Sequence, residues 1–400
     1  MKFDTACFLI DTPLTERDYK RFSVDALKSK GFEVIFLDLT SMLNSEYINK
    51  YKPANLVHGE NITAVKDKKD FYIFFENNRN KKILAIDLVG GRRNTIFIYR
   101  IFKKFNITYI NLCINTKPSP QQKRQYKSKF FKKTLKKSNI FKKIKGRFID
   151  MLYRMPYFTN IIKPPAGIVV DGFKCNLVLP RAGESTKMIW AHSLDYDLYL
   201  DYLHGKLSLP SISEKRYITF LDEFTPFHPD FYLSTPSLPN PFFDDPLKYY
   251  EIINKFLSLF EEKTKTNVVI AAHPRSQYEN MPNMYNGRTV IKGKTIELIA
   301  KSEAILTHAS TAVSFAVFFN KPIIFLTSDR MKEEPIYGDR IDNYAAIFNK
   351  KSINMDKFLK EDIPLDLTVD EKIYSDYINN YIKIDSSPKQ YFWDIVLNHV

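Results

Sequence analysis

Side chains able to bind an anion follow two neighbouring apolar runs in this 400-residue chain, at 267–272 (NVVIAA) and 303–307 (EAILT). The residues concerned are His273, Pro274 and Arg275 after the first run, and His308, Ser310 and Thr311 after the second. Imidazole, guanidinium and hydroxyl groups donate hydrogen bonds or charge to phosphate oxygens. Free backbone amides at the start of a helix attract the same oxygens. The residue types therefore predict a phosphate-binding site.

The surrounding sequence predicts a β-α-β-α-β unit, with strands at 267–272, 303–307 and 322–326 and helices at 294–302 and 312–319. Pro274 lacks an amide donor, which ends the first strand. In open α/β sheets, ligands bind at the carboxyl ends of the strands. For His273 or Ser310 alone, a loop histidine or a helix cap is the simpler interpretation. Two polar strand ends within one unit favour binding.

Groups that could act on a bound substrate follow two other predicted strands. Asp222 and Glu223 come directly after the run 216–221, where a carboxylate can accept a proton or attack as a nucleophile. The alternative for this pair is capping of the following turn. His192 and Asp195 follow a shorter apolar run and could contact a substrate, although helix capping and packing explain the pattern equally well.

The length of the chain predicts two domains, because single hydrophobic cores stop growing at about 250–300 residues. We place the first domain at 1–210 and the second at 216–380, with a candidate linker at 205–213. The first domain has predicted strands at 3–10, 32–39, 71–75, 82–88, 108–112, 164–171 and 188–190, and predicted helices at 18–30 and 93–105. Strands that alternate with helices in this way indicate a Rossmann-like α/β domain.

The second half of the chain resembles the C-terminal domain of GT-B glycosyltransferases. The residues that carry the resemblance are His273, Pro274, His308, Ser310 and Thr311, followed by an apolar helix and Asn-Lys-Pro. More narrowly, the pattern is similar to bacterial enzymes that use CMP-activated sugars, namely sialyl- and polysialyltransferases and the Kdo transferases of capsule synthesis. The match covers residues 216–330. It implies two Rossmann-like domains with a cleft between them.

The same resemblance implies a function. A sugar such as sialic acid, a related nonulosonic acid or Kdo would pass from a CMP-sugar donor to a cell-surface glycan acceptor. The His-Pro and Ser/Thr pairs would hold the nucleotide phosphate, and Asp222 or Glu223 would supply the acidic motif, although the sequence here is Asp-Glu-Phe rather than acid-acid-Gly. The final segment, 381–400, would cross back to the N-terminal domain. We expect no metal and no cofactor beyond the donor.

Other interpretations stay open. One is a different enzyme of the same architecture, either a CDP-polyol phosphotransferase or a sugar-nucleotide epimerase. Another is a non-enzymatic basic protein that binds a membrane or RNA. Polar residues grouped at strand ends favour an enzyme, because a pure binding protein has no use for them there.

Basic residues are concentrated in the segment 117–147, within a predicted insertion at 117–160. This segment holds thirteen Lys and Arg and no Asp or Glu, while the whole chain has a net charge of +15. Aromatic and aliphatic residues at near-helical spacing on such a background suit an anionic membrane surface. A solvated helix face or a loop is the alternative. Because no nucleic-acid-binding module accompanies the charge, we expect no nucleic-acid partner.

The remaining composition bears on location. The three cysteines, Cys7, Cys113 and Cys175, lack paired spacing, which indicates a reducing compartment. The start of the chain has no signal-peptide pattern, and no apolar run approaches the roughly 18 residues of a transmembrane helix. We therefore expect a cytoplasmic protein, peripheral at the inner face of the membrane.

Overall fold

The computed structural model describes residues 2–45, 55–59, 61–91, 93–115, 162–175, 182–208, 212, 216–228, 240–242, 244–281 and 283–400. The basic segment 117–147 lies outside these residues, and so does part of the candidate linker. The membrane hypothesis for that segment therefore stays a prediction.

The N-terminal domain is built on a seven-stranded parallel sheet with strand order β3-β2-β1-β4-β5-β6-β7. Its strands are β1 (Thr5–Ile10), β2 (Glu33–Asp38), β3 (Ile62–Ala64), β4 (Ile83–Asp87), β5 (Thr108–Cys113), β6 (Gly167–Val170) and β7 (Lys187–Trp190). Its helices are α1 (Glu16–Arg21), α2 (Val24–Ser29), α3 (Thr40–Leu43), α4 (Lys68–Asn77) and α5 (Ile96–Lys104). The next helix, α6 (Leu194–Leu203), joins the two domains, because Leu194 packs in the N-terminal core whereas Tyr196 and Leu200 pack in the C-terminal core. Along β1, Cys7 and Leu9 pack with α4 and α5, whereas Ala6 and Phe8 pack with α2. Both faces of the sheet are covered, which explains its continuous apolar strands.

The C-terminal domain has a six-stranded parallel sheet with strand order β10-β9-β8-β11-β12-β13. Its strands are β8 (Tyr217–Leu221), β9 (Asn267–Ala272), β10 (Val290–Lys292), β11 (Ile305–Thr307), β12 (Ile323–Thr327) and β13 (Ile353–Asn354). Its helices are α7 (Pro246–Thr264), α8 (Thr295–Lys301), α9 (Val313–Phe318), α10 (Asp329–Glu333), α11 (Pro335–Ile347), α12 (Met355–Phe358) and α13 (Glu371–Tyr381). Two parallel α/β domains facing one another confirm the predicted GT-B fold class.

The last helix, α14 (Phe392–Leu397), packs into the core of the N-terminal domain, although it follows the C-terminal domain in sequence. Trp393 is fully buried there, and its indole Nε1 donates a hydrogen bond to the carbonyl oxygen of Phe22 at 2.7 Å. The preceding helix, α13, belongs to the C-terminal core through Tyr374 and Tyr377. The chain therefore returns to the first domain after α13.

The strand predicted at 71–75 is wrong, because this segment lies within helix α4 (Lys68–Asn77). Asp67 caps the helix, and its carboxylate accepts hydrogen bonds from two backbone amides of the first turn, at 2.7 and 2.9 Å. Phe71 and Phe75 then lie one turn apart, and both are fully buried. A short apolar run fits either a strand or a buried helix face. Here the cap at Asp67 starts a helix.

The single helix predicted at 18–30 is also wrong, because two short helices, α1 (Glu16–Arg21) and α2 (Val24–Ser29), occupy the segment. They are separated at Ser23, whose φ of 48° is left-handed. The Ser23 hydroxyl donates to Asp197 at 3.0 Å, and the preceding carbonyl accepts from the indole of α14. Contacts with distant parts of the chain hold this break, so the local pattern does not show it.

Candidate active site

A cavity of about 390 Å³ lies between the two domains, at the carboxyl edge of the C-terminal sheet. Its C-terminal wall includes Asp222, His273, Pro274, Arg275, Ser310 and Thr311. Its N-terminal wall includes Thr15, Glu16, Arg17, Lys20 and Arg21, and Asp195 of α6 also lines the cavity. The register explains the first grouping, because Leu221 at the end of β8 pairs with both Ala271 and Thr307. Three strands therefore end at one level and direct the residues that follow them to one place.

His273 follows β9 and is fixed through both its ring and its main chain. Its Nδ1 accepts a hydrogen bond from the backbone amide of Arg275 at 3.2 Å. In the neutral ring the proton therefore lies on Nε2. The backbone amide of His273 donates to Asp222 at 3.2 Å, and the ring of His228 packs edge-on against it at 4.7 Å. These contacts fix the orientation of the ring, with the proton of its neutral form on Nε2.

Ser310 and Thr311 are half-buried on the turn before α9. The main chain of this turn is held on both sides. The amide of Ser310 donates to Oγ1 of Thr307 at 3.2 Å, and its carbonyl accepts from the hydroxyl of Tyr344 at 3.3 Å. The Ser310 hydroxyl oxygen accepts from the amide of Ala312 at 3.3 Å. The proton of the Ser310 hydroxyl then points away from Ala312 and can be donated to a ligand oxygen.

Asp222 is only 4% exposed, and its carboxylate accepts four hydrogen bonds. Oδ1 accepts from the amide of Phe224 and the hydroxyl of Tyr285, both at 2.8 Å. Oδ2 accepts from the hydroxyl of Tyr278 at 2.9 Å and from the amide of His273 at 3.2 Å. Burial raises the pKa of Asp222, although the four donors favour its charged form. Because these donors fill its lone pairs, the carboxylate ties the ends of β8 and β9 together.

A second buried aspartate, Asp87, shows the same arrangement in the N-terminal domain at the end of β4. It accepts from two backbone amides of the following turn, both at 3.0 Å. The hydroxyl of Tyr99 and the amide group of Asn111 donate to its other oxygen, at 2.6 and 2.7 Å. Burial raises the pKa of Asp87 as well. Since Asp87 does not line the cavity, a strand-end aspartate of this kind has a structural use that involves no substrate.

Glu223 and His308 do not line the cavity. The Glu223 carboxylate accepts from the backbone amide of Ala309 and so supports the Ser310 turn from behind. His308 is fully buried, with Nδ1 2.7 Å from the carbonyl oxygen of Leu326 and Nε2 3.0 Å from the hydroxyl of Tyr249. Burial lowers the pKa of His308, so the ring is neutral. The prediction that His308 binds the nucleotide is therefore corrected: its ring joins β11 to β12 and α7.

The two residues predicted to contact the acceptor have different positions. His192 is fully buried, and each ring nitrogen lies 2.9 Å from a backbone carbonyl oxygen. It ties the end of β7 to the segment before α14, so its predicted contact with a substrate is corrected. Asp195 does line the cavity. One carboxylate oxygen accepts from the hydroxyl of Ser314 at 3.5 Å, and the other lies 3.9 Å from the guanidinium of Arg21.

The sequence-based prediction missed the cations of α1, namely Arg17, Lys20 and Arg21. A signal was available, because α1 follows the end of β1 and so starts at the edge of a sheet where ligands bind. Arg17 and Arg21 are also four residues apart, which places them on one helix face. Starting the helix at residue 18 left Arg17 outside it and concealed the pair.

Membrane-spanning helices and metal sites were sought among the residues that the structure describes. Within the described ranges, none of the helices is both long and apolar enough to span a membrane. In that same part of the chain, no cluster of three or more His, Cys, Asp or Glu side chains is suited to a metal ion.

Solved structures with a similar arrangement of elements come from several classes of enzyme. The UDP-GlcNAc 2-epimerase of Methanocaldococcus jannaschii is 11% identical, with a TM-score of 0.46 over 98% of this chain and 99% of its own. A variant of the wall teichoic acid polymerase TagF is 13% identical, with a TM-score of 0.46 over 100% of this chain and 88% of its own. The calicheamicin glycosyltransferase CalG4 is 10% identical, with a TM-score of 0.46 over 100% and 98%.

The sequence itself gives no such match. No protein-family model matches the chain, and no curated protein matches it either. The structural likenesses are too distant to indicate a substrate or a reaction, so a function has to be argued from the cavity and its residues.

Proposed function

We propose that the chain is a metal-independent GT-B glycosyltransferase that moves a sugar from a CMP-activated donor to a glycan acceptor. The observation that carries this proposal is the cavity between the two sheets, whose lining brings together side chains able to donate to a phosphate at the ends of the C-terminal strands and the carboxylate of Asp195 on α6. Its volume of about 390 Å³ falls within the range of small-molecule sites. The choice of sialic acid, a related nonulosonic acid or Kdo as the sugar follows only from the His-Pro and Ser/Thr resemblance.

The C-terminal wall would stabilise the leaving phosphate. As the bond between the anomeric carbon and the phosphate oxygen breaks, negative charge develops on that phosphate. Nε2 of His273, the guanidinium of Arg275 and the hydroxyls of Ser310 and Thr311 would donate to its oxygens. Each well-placed donor of this kind contributes about 3–4 kcal/mol to the transition state. Four such donors can act without a bridging cation, which is the basis for proposing metal independence.

Asp195, on α6, would supply the base. The oxygens of Asp222 are occupied by four donors, and Glu223 is directed at the Ser310 turn. Asp195 lines the cavity between the two groups of cations, with one weak hydrogen bond from Ser314 on α9 and one ion pair with Arg21 on α1. It would accept the proton of the acceptor hydroxyl as that oxygen attacks the anomeric carbon. Asp222 then becomes a positioning residue that fixes the main chain of His273.

With an acceptor glycan present, Asp195→Asn is expected to lower the release of CMP from CMP-N-acetylneuraminate and CMP-Kdo about 100-fold or more, because proton transfer from the acceptor hydroxyl to a placed base contributes at least this factor. The affinity for CMP should stay within two-fold of wild type, since the side chain of Asp195 contacts Ser314 and Arg21 rather than the proposed phosphate donors. Release is followed by chromatography and affinity by calorimetry.

The matched control for this variant is Asp201→Asn. Asp201 lies on the same helix, accepts a hydrogen bond from the hydroxyl of Tyr391 at 2.9 Å and does not line the cavity. The Asp201→Asn variant should therefore retain activity. If Asp195→Asn is fully active while Asp222→Asn or Glu223→Gln loses activity with CMP binding intact, the base is one of the latter two residues.

We also propose a cytoplasmic location, with the protein docked on the inner face of the membrane through the segment 117–147. This rests on the composition of that segment, which holds thirteen Lys and Arg and no Asp or Glu. Sedimentation with anionic liposomes tests it: the proposal fails if binding does not rise with the fraction of anionic lipid.

A further inference from the structure

The wall of the cavity formed by α1 is strongly basic and has no part in the roles assigned so far. Arg17, Lys20 and Arg21 line it, and Arg275 approaches from the opposite wall. Arg17 and Arg21 lie four residues apart, so they share one helix face. Their side chains are 34% and 25% exposed, respectively, so both are partly buried in the cavity wall.

Nearby acids neutralise the positive charges of these arginines only in part. Arg17 lies 3.4 Å from Asp18, and Arg21 lies 3.9 Å from Asp195. The Nε of Arg21 is buried and has no hydrogen-bond partner among the described residues. Burial, followed by repulsion from Arg21, lowers the pKa of Arg17, and Arg275 adds to that repulsion across the cavity. Guanidinium groups that repel one another are stabilised when an anion lies between them.

A guanidinium is a planar fork that pairs with the two oxygens of a carboxylate or a phosphate. We infer that Arg17 and Arg21 bind a carboxylate or phosphate group carried by the acceptor substrate. The acceptor is then an anionic glycan or a phosphate-containing polymer rather than a neutral sugar. Calling the bound molecule an acceptor rests on the proposed function. The anion site itself does not depend on that function.

The position of the pair assigns it to the acceptor rather than to the donor. The donors proposed for the nucleotide phosphate, His273, Ser310 and Thr311, follow strands of the C-terminal sheet, whereas Arg17 and Arg21 lie on a helix of the N-terminal domain. Arg21 lies beside Asp195, the proposed base. A molecule whose anionic group is held by these arginines therefore presents its neighbouring hydroxyl to the group that removes the proton.

Calorimetry with three probes tests this inference on the full-length protein, with and without saturating CMP. The probes are 3′-sialyllactose, which carries a carboxylate, a glycerol phosphate dimer, which carries a phosphodiester, and lactose, which is neutral. At least one anionic probe should bind wild type ten-fold or more tightly than lactose does. The two anionic probes also distinguish a carboxylate from a phosphate as the group recognised.

Variants assign the preference to the two arginines. Arg17→Gln combined with Arg21→Gln should bring the preference for the anionic probe to within two-fold of lactose. Arg79→Gln combined with Arg216→Gln is the charge-matched control, because these arginines pair with Glu76 and Glu303 outside the cavity, and it should keep the preference. Arg17→Lys combined with Arg21→Lys retains the positive charges without the planar guanidinium groups. This variant should keep part of the preference for the anionic probe. The melting temperature of each variant shows whether it folds.

Three results would overturn the inference. The first is equal binding of all three probes by wild type, which requires no variant. The second is a preference that survives in a folded double glutamine variant. The third is a loss of CMP affinity as large as the loss of probe affinity, because this assigns the arginines to the donor. Intact anion selectivity without CMP binding would instead contradict the proposed function and leave the anion site standing.

Discussion

Replacing His273 with alanine is expected to lower turnover about 100-fold or more while leaving the fold intact. The residue is half-buried in the cavity, and its ring is set by the amide of Arg275 on Nδ1, so the proton of the neutral ring is on Nε2. Loss of one preorganised donor to a charge that develops in the transition state has an effect of about 100- to 1000-fold in other enzymes. The rate of CMP release from a CMP-sugar measures this effect.

His399→Ala is the matched control for that experiment. His399 is an exposed histidine at the end of the chain, and its ring hydrogen-bonds the carbonyl of Ile395 outside the cavity. Its removal should leave the rate unchanged. A His273→Ala protein that folds and releases CMP at close to the wild-type rate would remove the leaving-phosphate role assigned to this residue.

Asp222→Asn is expected to lower the free energy of unfolding by about 2–3 kcal/mol, because an amide group cannot accept from all four donors that surround the carboxylate. At least one buried donor loses its partner. The main chain of His273 is among those donors, so affinity for CMP should fall together with stability. Urea unfolding and calorimetry measure the two effects.

The loss of stability caused by Asp222→Asn should change with pH in a definite direction. The pKa of Asp222 is raised above its ordinary value of 3.8 in the folded protein, mainly by burial. The folded state therefore holds this proton more tightly than the unfolded chain, and wild type loses stability as the pH rises from 3.8 through the folded-state pKa. Asparagine does not ionise, so the destabilisation caused by Asp222→Asn should be greater at pH 4 than at pH 7.

The same variant separates the two roles proposed for Asp222. A positioning residue affects stability and CMP affinity together. A catalytic base would leave both unchanged and abolish only transfer. The second result would restore Asp222 as the base and contradict the assignment of Asp195.

Much of the fold follows from the sequence because the strands of both sheets are covered on both faces. Such strands are continuous apolar runs, and those of β9 and β12 were predicted almost to the residue. The same rule misplaced the segment 71–75, because a buried helix face can show an equally continuous run. The break at Ser23 could not be predicted, since Asp197 and α14, far away in sequence, hold it.

The site was predictable where it depends on strand ends and unpredictable where it depends on burial. His273 and Ser310 follow neighbouring strands, and the parallel register brings both to the cavity. His192 and His308 also follow strands, yet both rings are directed into the protein and bond to neighbouring groups. The direction of a side chain after its strand depends on the turn, and the sequence pattern does not specify that turn.

Calorimetric binding of CMP, CDP, UDP and GDP to the wild-type protein and to Ser310→Ala combined with Thr311→Ala tests whether this cavity is a CMP site. We expect wild type to bind CMP most tightly and the double variant to lose at least ten-fold in CMP affinity, because two hydroxyl donors to the phosphate are removed. Absence of CMP binding to wild type, or an affinity for CMP that the double variant retains in full, would contradict a CMP site here.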